Sequence, residues 1–201
     1  MDILRGLASV PDSFAETGTV VTIGVFDGVH RGHQLLISKA VETAREAGAP
    51  CVVMTFDPHP VTIFAPNRAP RALMPLEERA RHIADLGVDA LLVIDLRREI
   101  GGLTPTQYMN EVLVDTLHAR HVLVGENFTF GRDAAGTATT MAQLGERAGV
   151  YVSVVTLLGD GDVRICSTAI RDHLSGGNVD LATDFMGRPF SVIAPIERGA
   201  G

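Results

Sequence analysis

Short apolar runs rich in β-branched residues alternate with longer amphipathic segments, and this alternation constrains the fold more than any other feature of the chain. Val20-Val21-Thr22-Ile23-Gly24-Val25-Phe26 reads as a buried strand. Gly32–Ala47 reads as a helix, with Leu36, Ala40, Val41, Ala44 and Ala47 recurring at helical spacing and Gly48 as its stop. Cys51–Phe56 is a second strand, Leu76–Leu86 a helix ended by Gly87, and Ala90–Ile94 a third strand. Thr104-Pro105-Thr106-Gln107 has the pattern of a capping box, opening a helix to about Leu117. His121–Val124, the helix Thr140–Ala148 and a fifth strand Tyr151–Leu157 follow. After a turn at Gly159-Asp160-Gly161-Asp162, Val163–Cys166 returns antiparallel, and short helices fit Thr168–Leu174 and Val179–Met186. The pattern predicts an α/β fold: a Rossmann-like, doubly wound, mostly parallel five-stranded sheet with helices on both faces. Such sheets bind ligands at the carboxyl ends of their strands, near the point where strand order reverses.

The chain has 201 residues, enough for one such domain with a real core. Its net charge is −7, with 24 acidic against 17 basic residues, and Lys39 is the only lysine. No basic stripe exists for a polynucleotide, so nucleic acid is excluded as a partner, whereas a small phosphorylated ligand needs only a few placed cations. Cys51 and Cys166 are too few for a disulfide framework and read as small residues of a reducing cytoplasm. The start Met1-Asp2-Ile3-Leu4-Arg5 lacks the pattern of a signal peptide, and no apolar run is long enough to span a membrane. A cytoplasmic location and no membrane partner are expected. Phe64–Arg71 is a polar, proline-rich loop.

Two segments carry chemistry. The first, Asp27-Gly28-Val29-His30-Arg31-Gly32-His33, follows the first predicted strand and leads into a helix. Free N–H groups and the helix dipole favour phosphate there, and glycine lets the backbone approach it. The imidazoles, in a solvent-facing loop, donate hydrogen bonds to phosphate, and a protonated one adds charge. A metal site is the rival reading, but no Cys, Asp or Glu cluster completes a ligand set. The second segment is Arg164-Ile165-Cys166-Ser167-Thr168-Ala169-Ile170-Arg171. Ser167 or Thr168 is expected to cap a helix, with Arg171 one turn on, on the same face.

Together these segments resemble the nucleotidyltransferase superfamily with an early His-x-Gly-His and a late Ser-Thr-x-x-Arg. Thr55-Phe56-Asp57-Pro58-His59-Pro60 and Val124-Gly125-Glu126-Asn127-Phe128-Thr129-Phe130-Gly131 stand between them, and the four motifs in register resemble the N-terminal module of bacterial bifunctional riboflavin kinase/FMN adenylyltransferases. The resemblance implies an FAD synthetase that transfers AMP from ATP to FMN by direct attack, with Mg²⁺ held by substrate phosphates and no protein metal ligands. It implies catalytic roles for His30, His33 and Arg171, and ATP contacts from Gly24, Phe26, Gly32, Arg164, Ser167 and Thr168. Asn127, Phe64, Phe128, Phe130, Asp57 and His59 fall to FMN, although Phe128 and Phe130 also fit a core, Asn127 a turn, and Asp57 and His59 the fixing of the Asp-Pro-His-Pro turn. Cys166 stands where the family often has Ser. Residues 1–186 read as the transferase domain. Residues 187–201, beginning Gly187-Arg188-Pro189-Phe190, resemble the entry to a riboflavin kinase module. The family's Gly-Phe-Pro-Thr-Ala-Asn segment is absent, so riboflavin phosphorylation is not expected of these residues, and a C-terminal kinase domain is the expected partner in a full-length protein. The alternatives are a related transferase acting on pantetheine phosphate, nicotinate mononucleotide or glycerol phosphate, and a flavin- or nucleotide-binding module without turnover.

Overall fold

A computed structural model describes residues 1–156, 158–160, 163–194 and 199. Among them six strands form one sheet: β1 (Asp2–Arg5), β2 (Thr19–Ile23), β3 (Cys51–Phe56), β4 (Ala90–Ile94), β5 (Ala119–Gly125) and β6 (Tyr151–Val155). Their spatial order is β1-β4-β3-β2-β5-β6 and every pairing is parallel. The sheet therefore has six strands, not five. The additional one, β1, is a four-residue edge strand with only Ile3 and Leu4 between charged ends, too short to show a period. The strand expected over 151–157 ends at Val155, and Leu157 lies outside the described residues, as do Gly161 and Asp162 of the expected turn. Val163–Arg164 does return antiparallel, against Gly159–Asp160, in a ribbon separate from the main sheet.

Residues alternate between two cores. Val20, Val53, Leu91 and Leu123 face one side, together with α1 (Arg31–Ala47) and α2 (Leu76–Ala84). Val21, Val52, Leu92 and Val122 face the other, together with a helix that begins as one α-turn, Pro105–Gln107, and continues as a π-helix over Tyr108–Thr116. This segment is α3. The capping box at its start is formed, with Thr104 and Gln107 each accepting from the other's backbone N–H. α4 (Ala138–Ala148) covers the same face as α3, whereas α5 (Ser167–Ser175) and α6 (Val179–Met186) join the α1 side. Near-continuous burial of β2, β3 and β4 follows from this double cover. Among the described residues no helix is long and apolar enough to cross a membrane.

β2 is followed by β3 on one side, and the chain later returns to place β5 on its other side. The order thus reverses between β2 and β5, so the loops after these two strands flank the crevice where such folds bind ligands. α1 is anchored beneath it by Leu36, Ile37, Ala40 and Ala44, and a left-handed Gly48 (φ 61°) closes its far end. Ile37 is fully buried. Ile37→Ala should lower unfolding free energy by about 2–5 kcal/mol in urea titrations, while the exposed Lys39→Ala should stay within about 0.5 kcal/mol of wild type.

Candidate nucleotide-binding site

The loop after β2 is tightly folded. Phe26 (φ 53°), Gly28 (φ 85°) and Val29 (φ 38°) all have left-handed backbones, and Phe26 and Val29 are only 1% exposed. A non-glycine residue there costs on the order of 1–3 kcal/mol and persists only where its surroundings fix it. Glycine is required at position 28 by space as well, since a Cβ would lie 2.7 Å from Leu73 Cδ1.

Asp27, at the centre of this loop, is buried. Its carboxylate accepts the Leu73 N–H at 3.0 and 3.1 Å and is ion-paired with Arg171 Nη2. Arg171 Nε donates to Arg71 O at 2.7 Å, so the guanidinium joins the Phe64–Arg71 loop, α5 and the β2 loop. Ser167 Oγ donates to the Asp27 carbonyl at 2.8 Å. The cap of α5 is Cys166, not Ser167 or Thr168 as expected, with its sulfur 3.5 Å from the Ala169 N–H. Serine in the first turn is thereby released to hold the loop, and Thr168 stays exposed one residue further on.

His30 is the N-cap of α1: its Nδ1 accepts the His33 N–H at 3.3 Å, which leaves Nε2–H as the donor of a neutral ring. The His30 and His33 rings stack at 3.6 Å between centroids, 20° from parallel, and Phe26 packs edge-on to His33 at 5.2 Å. Gly32 leaves room for this pair, because a Cβ would lie 3.2 Å from His30 Cε1. The histidines are therefore packed, not in a solvent-facing loop. His30 is 5% exposed, and the His33 Nδ1 is buried without a partner among the described residues. Burial, reinforced by the Arg188 charge, lowers the His30 pKa to about 4. Burial, then His30 and Arg79, holds His33 well below the ordinary histidine range. Both are neutral at pH 7, so the charge expected from a protonated imidazole is absent and the positive potential comes from arginines.

One of those, Arg79, escaped the sequence reading. It is 6% exposed, and its Nη1 donates to Val25 O (2.8 Å), Thr55 Oγ1 (3.1 Å) and Phe56 O (3.3 Å), lacing together the ends of β2 and β3. Its Nε is buried and unpartnered among the described residues. A signal existed: Arg79 sits on the apolar stripe of α2 beside Ala80 and Ile83, where a charge is out of place.

The remaining candidates lie on neighbouring loops. His59 caps the short helix Pro60–Phe64 through Val61 N–H at 3.1 Å. Its pKa is lowered chiefly by burial and further influenced by Asp27, Arg171 and Arg79, which sets it beside the Asp27 cluster. Asp57 is exposed, and Phe64 is 66% exposed at the end of that helix. After β5, Asn127 is exposed and Phe128 half-buried, stacked on Phe130 at 5.7 Å. Phe130 is buried against Tyr108 at 5.3 Å and belongs to the core. Arg164 lies 3.5 Å from Glu126 in an exposed pair of little energetic weight. Gly24 lies under the Phe26 ring, 3.0 Å from a Cβ placed on it. A cleft of about 460 Å³ lined by Arg5, Gly6, Asp57, Val93, Asp95, Arg98 and Glu99 touches the candidate residues only at Asp57.

A model of the FAD synthetase family matches residues 13–169. Bifunctional riboflavin kinase/FMN adenylyltransferases are similar along most of the chain: that of Escherichia coli (strain K12) is 35% identical over 199 residues, 99% of this chain and 63% of the relative. The Bacillus subtilis (strain 168) protein is 35% identical over 176 residues, 87% of this chain and 55% of the relative. A crystal structure described as a macrolide-efflux protein from Streptococcus pneumoniae superposes with a TM-score of 0.78 at 27% identity, covering 94% of this chain and 62% of that one. The chain thus spans between 55% and 63% of the length of these relatives.

Because the unfolded chain takes up protons on its histidines from about pH 6.5 downward while native His30 resists until about 4, the unfolded state binds more protons across that window. Stability should therefore be full above pH 6.5 and fall as the pH drops toward 4. Urea midpoints between pH 7 and 5 should show this slope, and His30→Gln should flatten it.

Proposed function

The chain belongs to the FAD synthetase family, and we propose that it transfers AMP from ATP to FMN, giving FAD and pyrophosphate. The observation that carries this reading is the stacked pair of neutral histidines at the head of α1, on one side of the β2/β5 reversal, with Asn127 and Phe128 on the other. An FMN phosphate oxygen attacks the α-phosphorus of ATP; a new P–O bond forms, the bond to the bridging oxygen breaks, and pyrophosphate leaves with its electrons. The phosphate is already an anion at neutral pH, so no strong general base is needed and catalysis rests on positioning and charge neutralisation.

His30 offers Nε2–H and His33 its ring to the ATP phosphates, as preorganised donors that need no prior protonation. Gly24, Phe26 and Gly32 shape the loop that receives them. Thr168 and Arg164 reach toward the outer phosphates, as does the part of Arg171 not engaged by Asp27 and Arg71. Ser167 acts largely through Asp27. Both Asp27 oxygens are occupied by Leu73 and Arg171, so this buried carboxylate does not suit a metal. Mg²⁺ fits instead as a complex with the triphosphate, where it neutralises charge. On the other side, Asn127 suits the polar edge of isoalloxazine and the exposed face of Phe128 suits its ring, with Phe130 supporting Phe128; Phe64, at the end of the helix after β3, offers a further exposed ring to the flavin. Asp57 and His59, in the loop after β3, are assigned to shaping the flavin end, with His59 beside the Asp27 cluster. These loops, rather than the histidines that superfamily relatives share, favour FMN over another acceptor.

Incubating the protein with ATP, MgCl₂ and FMN should yield FAD and pyrophosphate by chromatography; absence of FAD from folded protein would refute the reaction. His33→Ala should lower kcat by about 10²-fold or more with a smaller change in KM for ATP. Asn127→Ala should raise KM for FMN with little effect on ATP, losing a neutral hydrogen bond worth roughly 0.5–1.5 kcal/mol, while Arg171→Ala should impair ATP use more severely, since a charged bond is worth roughly 1.5–3 kcal/mol. Kinetics with each substrate varied in turn separate the two, and a selective ATP defect in Asn127→Ala would overturn the placement.

A further inference from the structure

Three successive carbonyls of the left-handed loop point to side chains from elsewhere in the chain. Asp27 O accepts from Ser167 Oγ at 2.8 Å. Gly28 O accepts from Arg188 Nη2 at 2.6 Å. Val29 O accepts from Arg188 Nη1 at 3.0 Å and from Gln34 Nε2 at 2.8 Å. Arg188 and Gln34 also both bond Met186 O, at 3.2 and 2.9 Å, so the last turn of α6, the segment after it and the loop are tied in one knot. In a planar trans peptide the N–H lies opposite the C=O. Drawing these carbonyls toward Ser167, Arg188 and Gln34 therefore turns the N–H groups of Gly28, Val29 and His30 the other way. Val29 N–H closes a turn on Phe26 O at 3.1 Å, while those of Gly28 and His30 have no partner among the described residues. The free N–H groups of Gly28 and His30, on either side of this turn, make a concavity suited to an anion, continuous with the start of α1.

We propose that Arg188 is a positioning residue of the phosphate site: by holding Val29 O it fixes the peptide plane whose free N–H, that of His30, receives ATP phosphate, and by holding Gly28 O it fixes the turn between that donor and the Gly28 N–H. This rests on assigning that loop to ATP. It also moves the boundary of the transferase domain past residue 186, because Arg188, in the segment resembling a kinase entry, completes the site that begins at Gly24. The charged and titratable neighbours of His30 are His33, stacked on it from α1, and Arg188, whose charge helps keep it neutral. Arg188 thus acts on the loop in two ways, through its hydrogen bonds and through its field.

The test uses Arg188→Ala and Arg188→Gln in the full chain, with three readouts: FAD formation, affinity for magnesium pyrophosphate by calorimetry, and the midpoint of His30 titration by NMR. Arg188→Ala should lose roughly tenfold or more in kcat/KM for ATP with a smaller change for FMN, and should bind pyrophosphate correspondingly less tightly. In both variants the His30 midpoint should rise above the wild-type value, and it should rise in Arg188→Gln, which keeps the packing and an amide donor but removes the charge, as well as in Arg188→Ala. Arg188→Gln, which keeps an amide donor, should retain more pyrophosphate binding than Arg188→Ala, and it carries the test should the alanine variant fail to fold. Folded variants that bind pyrophosphate like wild type, with His30 titrating unchanged, would overturn the proposal. A wild-type protein that binds pyrophosphate but makes no FAD would instead defeat the reaction, since binding and titration judge Arg188 without turnover.

Discussion

The site depends on the buried ion pair between Asp27 and Arg171, residues that the chain brings together across 144 positions. Asp27 sits between Phe26 and Gly28, in a loop whose backbone angles are unfavourable for two of its residues, and such a loop survives only if clamped. The clamp is the pair itself, the Leu73 N–H on the same carboxylate, and Ser167 on the Asp27 carbonyl. Removing either partner would leave a buried charge uncompensated, which is typically costlier than the pair is stabilising. The pair makes the β2 loop and α5 a single body, so the two motifs that the proposed function assigns to phosphate, far apart in sequence, are fixed relative to each other.

Charge in this body is arranged to favour an anion without relying on histidine ionisation. His30 and His33 are held neutral by burial and by the nearby cations Arg188 and Arg79. A neutral imidazole with its second nitrogen already engaged is a directional donor in a defined tautomer, and it does not compete with solvent protons near neutral pH. Fixed positive charge comes instead from guanidinium groups, which stay ionised when partly buried. Arg79 supplies some of it from the carboxyl ends of the strands, where the carbonyl oxygens of Val25, just past β2, and Phe56, the last residue of β3, solvate it in place of water.

Strands β2, β3 and β4 were legible because helices cover both faces of the sheet, and a strand buried on both sides is a continuous apolar run. β1 was not, since an edge strand of four residues with charged ends carries no such signal. The histidine pair was legible from its position after a strand and before a helix, but its protonation was not, because burial and neighbouring arginines are tertiary facts. The Cys166 cap was misassigned to the hydroxyls that follow it, since local preference ranks Ser and Thr above Cys and only the folded loop gives Ser167 another acceptor. Arg188 had no local mark of function: its partners, Gly28 and Val29, lie about 160 residues away.

The proposed phosphate site is preformed and built from neutral donors. Long-range proton–nitrogen NMR of ¹⁵N-histidine-labelled protein near pH 7 tests this directly, with and without saturating magnesium pyrophosphate. For such a site, His30 and His33 are both neutral in the free protein, His30 carries its proton on Nε2, and the signals of both rings shift when pyrophosphate binds. Charged imidazoles in the free protein, or rings that pyrophosphate leaves unmoved, would contradict it.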